Sequence, residues 1–271
     1  SLWVNVHGHN HPVINEAIIA QLGRLDHTTY LGLTHEPGIE LAEKLLATAP
    51  AGLSRVFYAG DGASAVEAAI KMAYQAQAQR GQHRPYFAHF AQGYHGDTLG
   101  AVSVGGIDLF HATYRPILLQ TKMLSSPGVL EHGQRRLNRA AEVLTELGEL
   151  LERQGSEICA VVLEPLVQAA GGMLTHDVSF VRGVRSLCDE YGVLMVCDEV
   201  ATGIGRTGRM WAVDHADVTP DLMTCGKGLT GGYLPMSAVL TTEPVYDAFL
   251  GSAESGRTFF HGHSYTANPL C

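Results

Sequence analysis

Runs of consecutive apolar residues, each closed by glycine or a charged residue and separated by helical stretches, are the feature that most restricts how this chain can fold. In Ile158–Leu163 and Val193–Cys197 every residue is apolar. Strands without polar alternation are buried on both faces, as they are in parallel sheets covered by helices. The pattern predicts an α/β fold with a mostly parallel sheet, in which ligands bind at the carboxyl ends of the strands.

The same alternation of strands and helices runs through most of the chain. Between the strands, apolar residues recur at helical spacing, for example at Ala65, Ala69, Met72 and Ala76. The predicted strands are Ser54–Gly60, Pro85–Phe90, Ile158–Leu163, Val193–Cys197, Leu222–Cys225 and Met236–Thr241. The predicted helices are Ala63–Arg80, Asp97–Val104, Leu137–Leu151 and Ser179–Tyr191.

Charge and cysteine content exclude several classes of protein. The 271 residues carry 18 Lys and Arg against 27 Asp and Glu, and no basic run is present, which argues against a surface that binds nucleic acid or an anionic membrane. No apolar run approaches the roughly 20 residues that span a bilayer. The five cysteines form no CxxC pair and mostly lie in apolar runs, so we expect buried thiols and a cytoplasmic protein.

An acid and a lysine follow two of the predicted strands. Asp198 ends one strand, and Lys227 lies 29 residues later, between two glycines, just after another. A lysine and a carboxylate on adjacent strand ends suit pyridoxal phosphate, because the lysine can bind the cofactor covalently and the carboxylate can keep the ring nitrogen protonated. The alternative is a structural ion pair or a solvated loop lysine.

Two strand-end turns could complete such a site. The first, Gly60–Ser64, lies between a strand and a helix, where free backbone N–H groups favour an anion such as the cofactor phosphate. It lacks the Gly-Lys-Ser/Thr of a Walker loop, and Ser64 could instead be a helix N-cap. The second turn holds Tyr94, which could stack on an aromatic ring or simply pack against its neighbours.

Two other motifs support rival functions less well. Gly203–Gly208 matches the GxGxxG fingerprint of nicotinamide enzymes, but it does not open a helix directly after its strand. His7, His9 and His11 alternate in a way that could place three imidazoles together for zinc. Glycine, asparagine and proline interrupt them, so turn or interface histidines are the better interpretation.

Longer segments identify a family. The stretch DEVATGIGRTGRMWAVDH, followed by PDLMTCGKGLTGG, resembles the signature of the class III (subgroup II) pyridoxal-phosphate aminotransferases. VHGHNHP, GYHGDTLGAVSV, EPLVQAAGGM and HGHSYTANPLC most resemble the branch that aminates 8-amino-7-oxononanoate in biotin biosynthesis. The likeness runs from Trp3 to Cys271 and implies a fold-type I large domain, S-adenosylmethionine as amino donor and small-molecule substrates.

The resemblance implies a role for individual residues. Lys227 corresponds to the lysine that binds the cofactor covalently, Asp198 to the partner of the ring nitrogen and Tyr94 to a residue beside the ring and the substrate. Glu164 corresponds to a glutamate near the active site. The cofactor-binding residues expected are Gly62, Ala63, Tyr94, Asp198, Lys227, His263 and Ser264, and the substrate-binding residues expected are Leu2, Trp3, Tyr94, Lys227 and Gly262.

The resemblance also implies a homodimer with shared active sites, because Gly262, His263 and Ser264 match a segment that crosses to the neighbouring subunit's phosphate site. Residues 1–52 are expected to contribute to the substrate pocket and the dimer interface, and residues 53–271 to form the cofactor-binding domain. We expect the chain to be a fragment that lacks a C-terminal small domain.

Three positions depart from the family pattern. Leu2 replaces the first tryptophan of a pair, Ala63 replaces a serine, and Asp61 adds a negative charge beside the phosphate site. Two alternatives stay open: another ω-amino-acid or diamine transaminase of the same class, and an inactive fragment that binds the cofactor or dimerises.

Overall fold

A central β-sheet organises the computed structural model, which describes residues 1–131 and 133–271. The strands are β1 (Leu53–Ala59), β2 (Tyr86–Phe90), β3 (Thr121–Leu124), β4 (Ile158–Leu163), β5 (Val167–Gln168), β6 (Leu174–Thr175), β7 (Leu194–Asp198), β8 (Leu222–Cys225) and β9 (Ser237–Thr242). The α-helices are α1 (Pro12–Leu22), α2 (Glu36–Thr48), α3 (Gly62–Gln79), α4 (Leu99–Ser103), α5 (Asp108–His111), α6 (Gln134–Gln154), α7 (Val178–Tyr191) and α8 (Glu243–Asp247).

Within the described residues the main sheet has seven strands in the order β1-β9-β8-β7-β4-β2-β3. The pairs from β8 through β3 are parallel, whereas β9 runs antiparallel to both of its neighbours. The start of β9 lies between the ends of two other strands, with Ser237 opposite Ala59 and Ala238 opposite Cys225. The predicted α/β fold with a mostly parallel sheet is confirmed.

Helices cover both faces of the sheet, which explains why its central strands carry apolar residues without alternation. Every residue of β4 is buried. On one face the core includes side chains of α6 and α7, such as Leu147 and Phe180, while on the other face it includes α3, with Ala65 and Ala69 fully buried. The small alanine side chains allow α3 to lie close against the strands.

The predicted strands and helices agree with the observed bounds to within about three residues, with several omissions. The predicted helix at Asp97–Val104 is shortened to Leu99–Ser103, because the residues before it form the turn that leads out of β2. Sequence reasoning did not predict α1, α2, β3 or the β5–β6 hairpin. The N-cap of α2 is His35, whose Nδ1 accepts from the amide of Gly38, and histidine is not a residue that usually signals a helix start.

Two further findings bear on the expectations from composition. All five cysteines are free thiols, and Cys159, Cys188, Cys197 and Cys225 are buried. Across the described part of the chain, no helix combines the length and the apolar character that crossing a membrane would require.

Trp211 should be a strong determinant of stability. Its side chain is fully buried, and its indole Nε1 donates to the Thr48 carbonyl oxygen at 2.8 Å, which ties the segment after β7 to the end of α2. We expect Trp211→Ala to lower the midpoint of thermal unfolding by roughly 10 °C, because loss of a buried tryptophan costs about 3–5 kcal/mol. Trp211→Phe should cost less, and Leu137→Ala at a half-exposed position should change little. A shift of the Trp211→Ala midpoint no larger than that of Leu137→Ala would contradict this.

Candidate functional site

A cavity of about 750 Å³ opens at the carboxyl ends of the parallel strands. Its lining comes from the turns that follow β1, β2, β4, β7 and β8, and from the N-terminal segment. The residues that carry polar or aromatic groups into it include Trp3, Tyr94, His95, Glu164, Asp198 and Lys227. The cavity therefore lies where the α/β topology predicted a ligand site.

Lys227 begins a short 3₁₀ turn, Lys227–Thr230, directly after β8. Its backbone φ is +42°, in the left-handed region that is unfavourable for a residue with a side chain, so the surrounding structure holds it there. The Nζ atom lies 5.4 Å from the centre of the Trp3 ring. The structure thus brings this lysine into the same cavity as Asp198, as the positions of both residues at strand ends predicted.

The carboxylate of Asp198 is buried and already accepts three hydrogen bonds. Its Oδ1 accepts from the amide of Val200 and from the hydroxyl of Thr224, both at 3.0 Å. Its Oδ2 accepts from Nδ1 of His95 at 2.7 Å. A carboxylate offers about four acceptor positions. One position, on Oδ2, therefore remains for a donor that enters the cavity.

His95 is the contact that sequence reasoning missed. It follows Tyr94 in the turn after β2, and its side chain is only 1% exposed. Burial alone would lower its pKa, but the hydrogen bond to Asp198 and the charges of Asp198 and Glu164 together raise that pKa above its ordinary value. The signal available in the sequence was the position of His95, a second ring-bearing residue at the same strand end and adjacent to the predicted site residue Tyr94.

Glu164 lies just after β4 and connects two loops of the site. Its Oε2 accepts from the amide of Tyr94 at 3.1 Å, and its Oε1 accepts from the amide of Ala169 at 3.0 Å. Burial raises the pKa of Glu164 to about 7, partly offset by His95 and the two amide hydrogen bonds. Its position near the predicted site is as expected from the resemblance, and the contacts show that it fixes the turn that carries Tyr94.

The start of α3 presents two free amides to the cavity. Asp61, not Ser64, is the N-cap of this helix: its carboxylate accepts from the amide and the hydroxyl of Ser64, each at 3.0 Å. The amides of Gly62 and Ala63 are the first two of the helix and have no acceptor within it. An anion at this helix start would meet these N–H groups, while the Asp61 carboxylate is directed onto Ser64.

Close packing shapes this helix start. A Cβ atom on Gly96 would lie 2.3 Å from the Cβ of Ala63, and the φ of Gly96 is +122°. A Cβ atom on Gly62 would lie 2.8 Å from Cγ1 of Val200. Glycine at these positions lets the turn after β2 and the turn after β7 approach the two free amides.

Tyr94 forms part of the cavity wall. Its hydroxyl donates to Oδ2 of Asp97 at 2.9 Å, and its ring stacks on that of His111 with centroids 6.4 Å apart. Burial, followed by the hydrogen bond to Asp97, raises the pKa of Tyr94 to about 12. The phenol therefore stays protonated at neutral pH.

The residues expected to bind substrate or a partner's cofactor are placed differently. Trp3 lines the cavity, whereas Leu2 is 79% exposed and does not. His263 packs near Gly60, since a Cβ atom there would lie 3.4 Å from its Cε1. Gly262 and Ser264 are exposed and lie outside the cavity of their own chain.

The rival motifs do not form sites of their own. Gly203–Gly208 lies in turns that open no helix, so it lacks the geometry of a dinucleotide fingerprint. Arg206 within it donates to the Trp3 carbonyl oxygen at 2.9 Å and so supports the cavity wall. The rings of His7 and His11 lie 5.9 Å apart, but the described residues contain no group of three or more potential metal ligands.

Glu199 should make stability depend on pH. This residue is fully buried next to Asp198, and burial raises its pKa to about 7 despite hydrogen bonds from Thr202 and Val213. The folded state then holds a proton that the unfolded state releases above about pH 4.5, so stability falls as pH rises from there to about 7. Glu199→Gln should remove this fall, which is at most about 1.4 kcal/mol per pH unit.

The measurement is the unfolding midpoint of wild type and Glu199→Gln from pH 5 to 8, with the exposed Glu152→Gln as control. The midpoint of Glu199→Gln should rise relative to wild type with increasing pH, while that of Glu152→Gln runs parallel to wild type. Parallel curves for all three proteins would show that Glu199 titrates normally.

Comparisons with known proteins agree with this geometry. The chain matches the family described as Aminotransferase class-III over residues 1–271. It is 49% identical, over its whole length, to the adenosylmethionine-8-amino-7-oxononanoate aminotransferase of Geobacter sulfurreducens, and 50% identical to that of Nitratidesulfovibrio vulgaris. It spans 60% of the first relative's length and 51% of the second's.

Solved structures give the same assignment. The adenosylmethionine-8-amino-7-oxononanoate aminotransferase of Methanocaldococcus jannaschii superposes with a TM-score of 0.92 at 42% identity, over 99% of this chain and 60% of its own. An amine transaminase from an uncultivated Pseudomonas species, solved in its PLP-bound form, gives 0.90 at 32% identity, over 99% of this chain and 62% of its own. The second of these structures contains pyridoxal phosphate, the cofactor predicted from Asp198 and Lys227. The chain belongs to the class III aminotransferase family.

Proposed function

We propose that the complete gene product transfers an amino group from S-adenosylmethionine to 8-amino-7-oxononanoate, giving 7,8-diaminononanoate in biotin biosynthesis. The names of relatives at 49% and 50% identity support this substrate pair. The structural observation that carries the proposal is the single open acceptor position of Asp198 in the cavity that also holds Lys227.

The groups in the cavity fit pyridoxal phosphate at three separate points. The amides of Gly62 and Ala63, at the positive end of α3, suit the phosphate. The open position on Oδ2 of Asp198 suits the protonated ring nitrogen. Lys227 supplies the amine that binds the cofactor covalently. When bound, the cofactor supplies an electron-withdrawing ring that stabilises negative charge on the substrate carbon bearing the amino group.

Lys227 also suits a role in proton transfer. Its amine lies over the Trp3 ring, and no ion pair with a carboxylate holds it among the described residues. The amine is thus available to take a proton from a substrate carbon and return it one atom away, as a general base and then a general acid. The positive φ of Lys227 fixes the point from which its side chain extends toward the reacting atoms.

We also propose that the active enzyme is a homodimer with shared sites. Large apolar side chains are exposed along one stretch of the chain, and exposed apolar patches mark surfaces that bind a partner. They are Leu99, Leu109, Phe110, Tyr114, Ile117, Leu119 and Met123. The exposure of Ser264 outside its own cavity is consistent with a contact to the partner's phosphate site.

The substrate proposal is tested by assaying the complete gene product with 8-amino-7-oxononanoate and either S-adenosylmethionine or lysine as donor. We expect 7,8-diaminononanoate with S-adenosylmethionine. Lys227→Ala should abolish turnover and the visible absorbance of the bound cofactor, because no other amine in the cavity can replace it, while Lys44→Ala on the exposed face of α2 should keep both. Turnover of other ω-amines with none of 8-amino-7-oxononanoate would favour a different transaminase of the class.

The shared-site proposal predicts the behaviour of mixed dimers. Ser264→Ala should weaken cofactor affinity by about ten- to a hundredfold, since a hydrogen bond to a charged group is lost. A dimer of one Ser264→Ala chain and one Lys227→Ala chain should keep one intact site and one site with both lesions. Activity of the purified mixed dimer near half that of wild type would agree with this. At a cofactor concentration that saturates wild type but not Ser264→Ala, two singly damaged sites would give almost no activity and would show that Ser264 serves its own chain.

A further inference from the structure

We propose that His95 is a positioning residue that orients the Asp198 carboxylate so that its last open acceptor position faces the ring nitrogen of the cofactor. This inference rests on the proposed use of pyridoxal phosphate. It assigns a role to a side chain that has no part in the function described above. The contacts around this one buried carboxylate single out His95.

The three donors to Asp198 come from three different parts of the chain. Val200 is two residues away, Thr224 lies on the neighbouring strand β8, and His95 comes from the turn after β2, across β4. The first two donors both bind Oδ1. Among the described residues only His95 binds Oδ2, the oxygen with the open position, so it fixes the direction in which that position points.

The backbone on both sides of His95 is held in place by neighbouring residues. Oε2 of Glu164 accepts from the amide of Tyr94, the residue before it, while Oε1 of Glu164 accepts from the amide of Ala169. Gly96, the residue after it, packs directly on Ala63. The turn that carries the imidazole is therefore held on both sides, by the end of β4 and by the start of α3.

The charges around His95 favour a cationic ring. Asp198 faces it from β7 and Glu164 from β4, and both carboxylates act to raise its pKa. His89 of β2 and His111 of α5 also interact with it, but burial lowers the pKa of each, that of His89 to about 3, so both are neutral at neutral pH. A cationic donor binds a carboxylate more strongly than a neutral one.

The arrangement has a consequence for the cofactor. Three fixed donors hold both oxygens of the buried Asp198 carboxylate in place, so the open position on Oδ2 keeps one direction. Without His95, Oδ2 would lose its orienting donor. Asp198 and Glu164 would also share the buried region without the positive charge of the His95 ring. The affinity for a protonated ring nitrogen should then fall even though the Asp198 carboxylate itself has not been changed.

The test compares His95→Phe and His95→Asn in the complete gene product, with His89→Phe as a matched control. His89 is also buried and close in sequence, but it hydrogen-bonds Thr121 and does not line the cavity. The measurements are the dissociation constant of pyridoxal phosphate from the apoenzyme, the unfolding midpoint of the apoenzyme, and the downfield imidazole N–H resonance in proton NMR.

His95→Phe should raise the dissociation constant about ten- to a hundredfold. His95→Asn, whose amide can donate from nearly the position of Nδ1, should recover most of that loss. His89→Phe should leave the dissociation constant within about threefold of wild type, whatever it does to the midpoint. The downfield resonance should persist in wild type above the ordinary histidine pKa of about 6.5 and be missing only in the His95 variants.

The outcomes separate this inference from the function on which it rests. If wild type does not bind pyridoxal phosphate, the proposed function is wrong and the inference falls with it. If wild type binds but His95→Phe lowers only the unfolding midpoint, with an unchanged dissociation constant, His95 is merely structural. A loss of affinity in His95→Asn with wild-type affinity in His95→Phe would show that the ring fills space and does not act as a donor.

Discussion

The site depends on how one buried carboxylate, that of Asp198, is held by its hydrogen-bond donors. Burial works against a charge, and it does so visibly here, because it raises the pKa of both Glu164 and Glu199 to about 7. Asp198 is also buried, and it receives donors from a loop, a neighbouring strand and a distant turn. The fold supplies these donors because parallel strands end at one edge of the sheet and bring their turns together there.

The sequence predicted the parts of this arrangement that are encoded locally. Unbroken apolar runs marked the central strands because both faces of the sheet are covered, and the glycines around Lys227 marked a turn at a strand end. The positions of Asp198, Lys227, Tyr94 and Trp3 on one cavity follow from that topology and from the family resemblance. None of these inferences required knowledge of a specific side-chain contact.

What could not be predicted depends on contacts between residues far apart in sequence. His95 and Asp198 are 103 positions apart, and nothing in a turn of the form Gly-Tyr-His-Gly indicates which ring faces inward. The N-cap of α3 is Asp61, although the sequence suggested only Ser64 for this role; both residue types cap helices, and only the direction of the carboxylate decides. Ser264 is exposed in the single chain, so its contact with a second subunit is a prediction from the family resemblance.

The antiparallel strand β9 has a consequence for how this family can change during evolution. Its first residues lie between the end of β1, which leads into the free amides of α3, and the end of β8, which leads into Lys227. The Ser237 hydroxyl also donates to the Asp61 carbonyl oxygen at 2.5 Å. Because a one-residue slip turns every side chain of a strand to the opposite face, an insertion or deletion within β9 would displace the turn before α3 and the lysine together. Changes in length should therefore accumulate in the connections at the opposite edge of the sheet, while this strand keeps its length even as its side chains vary.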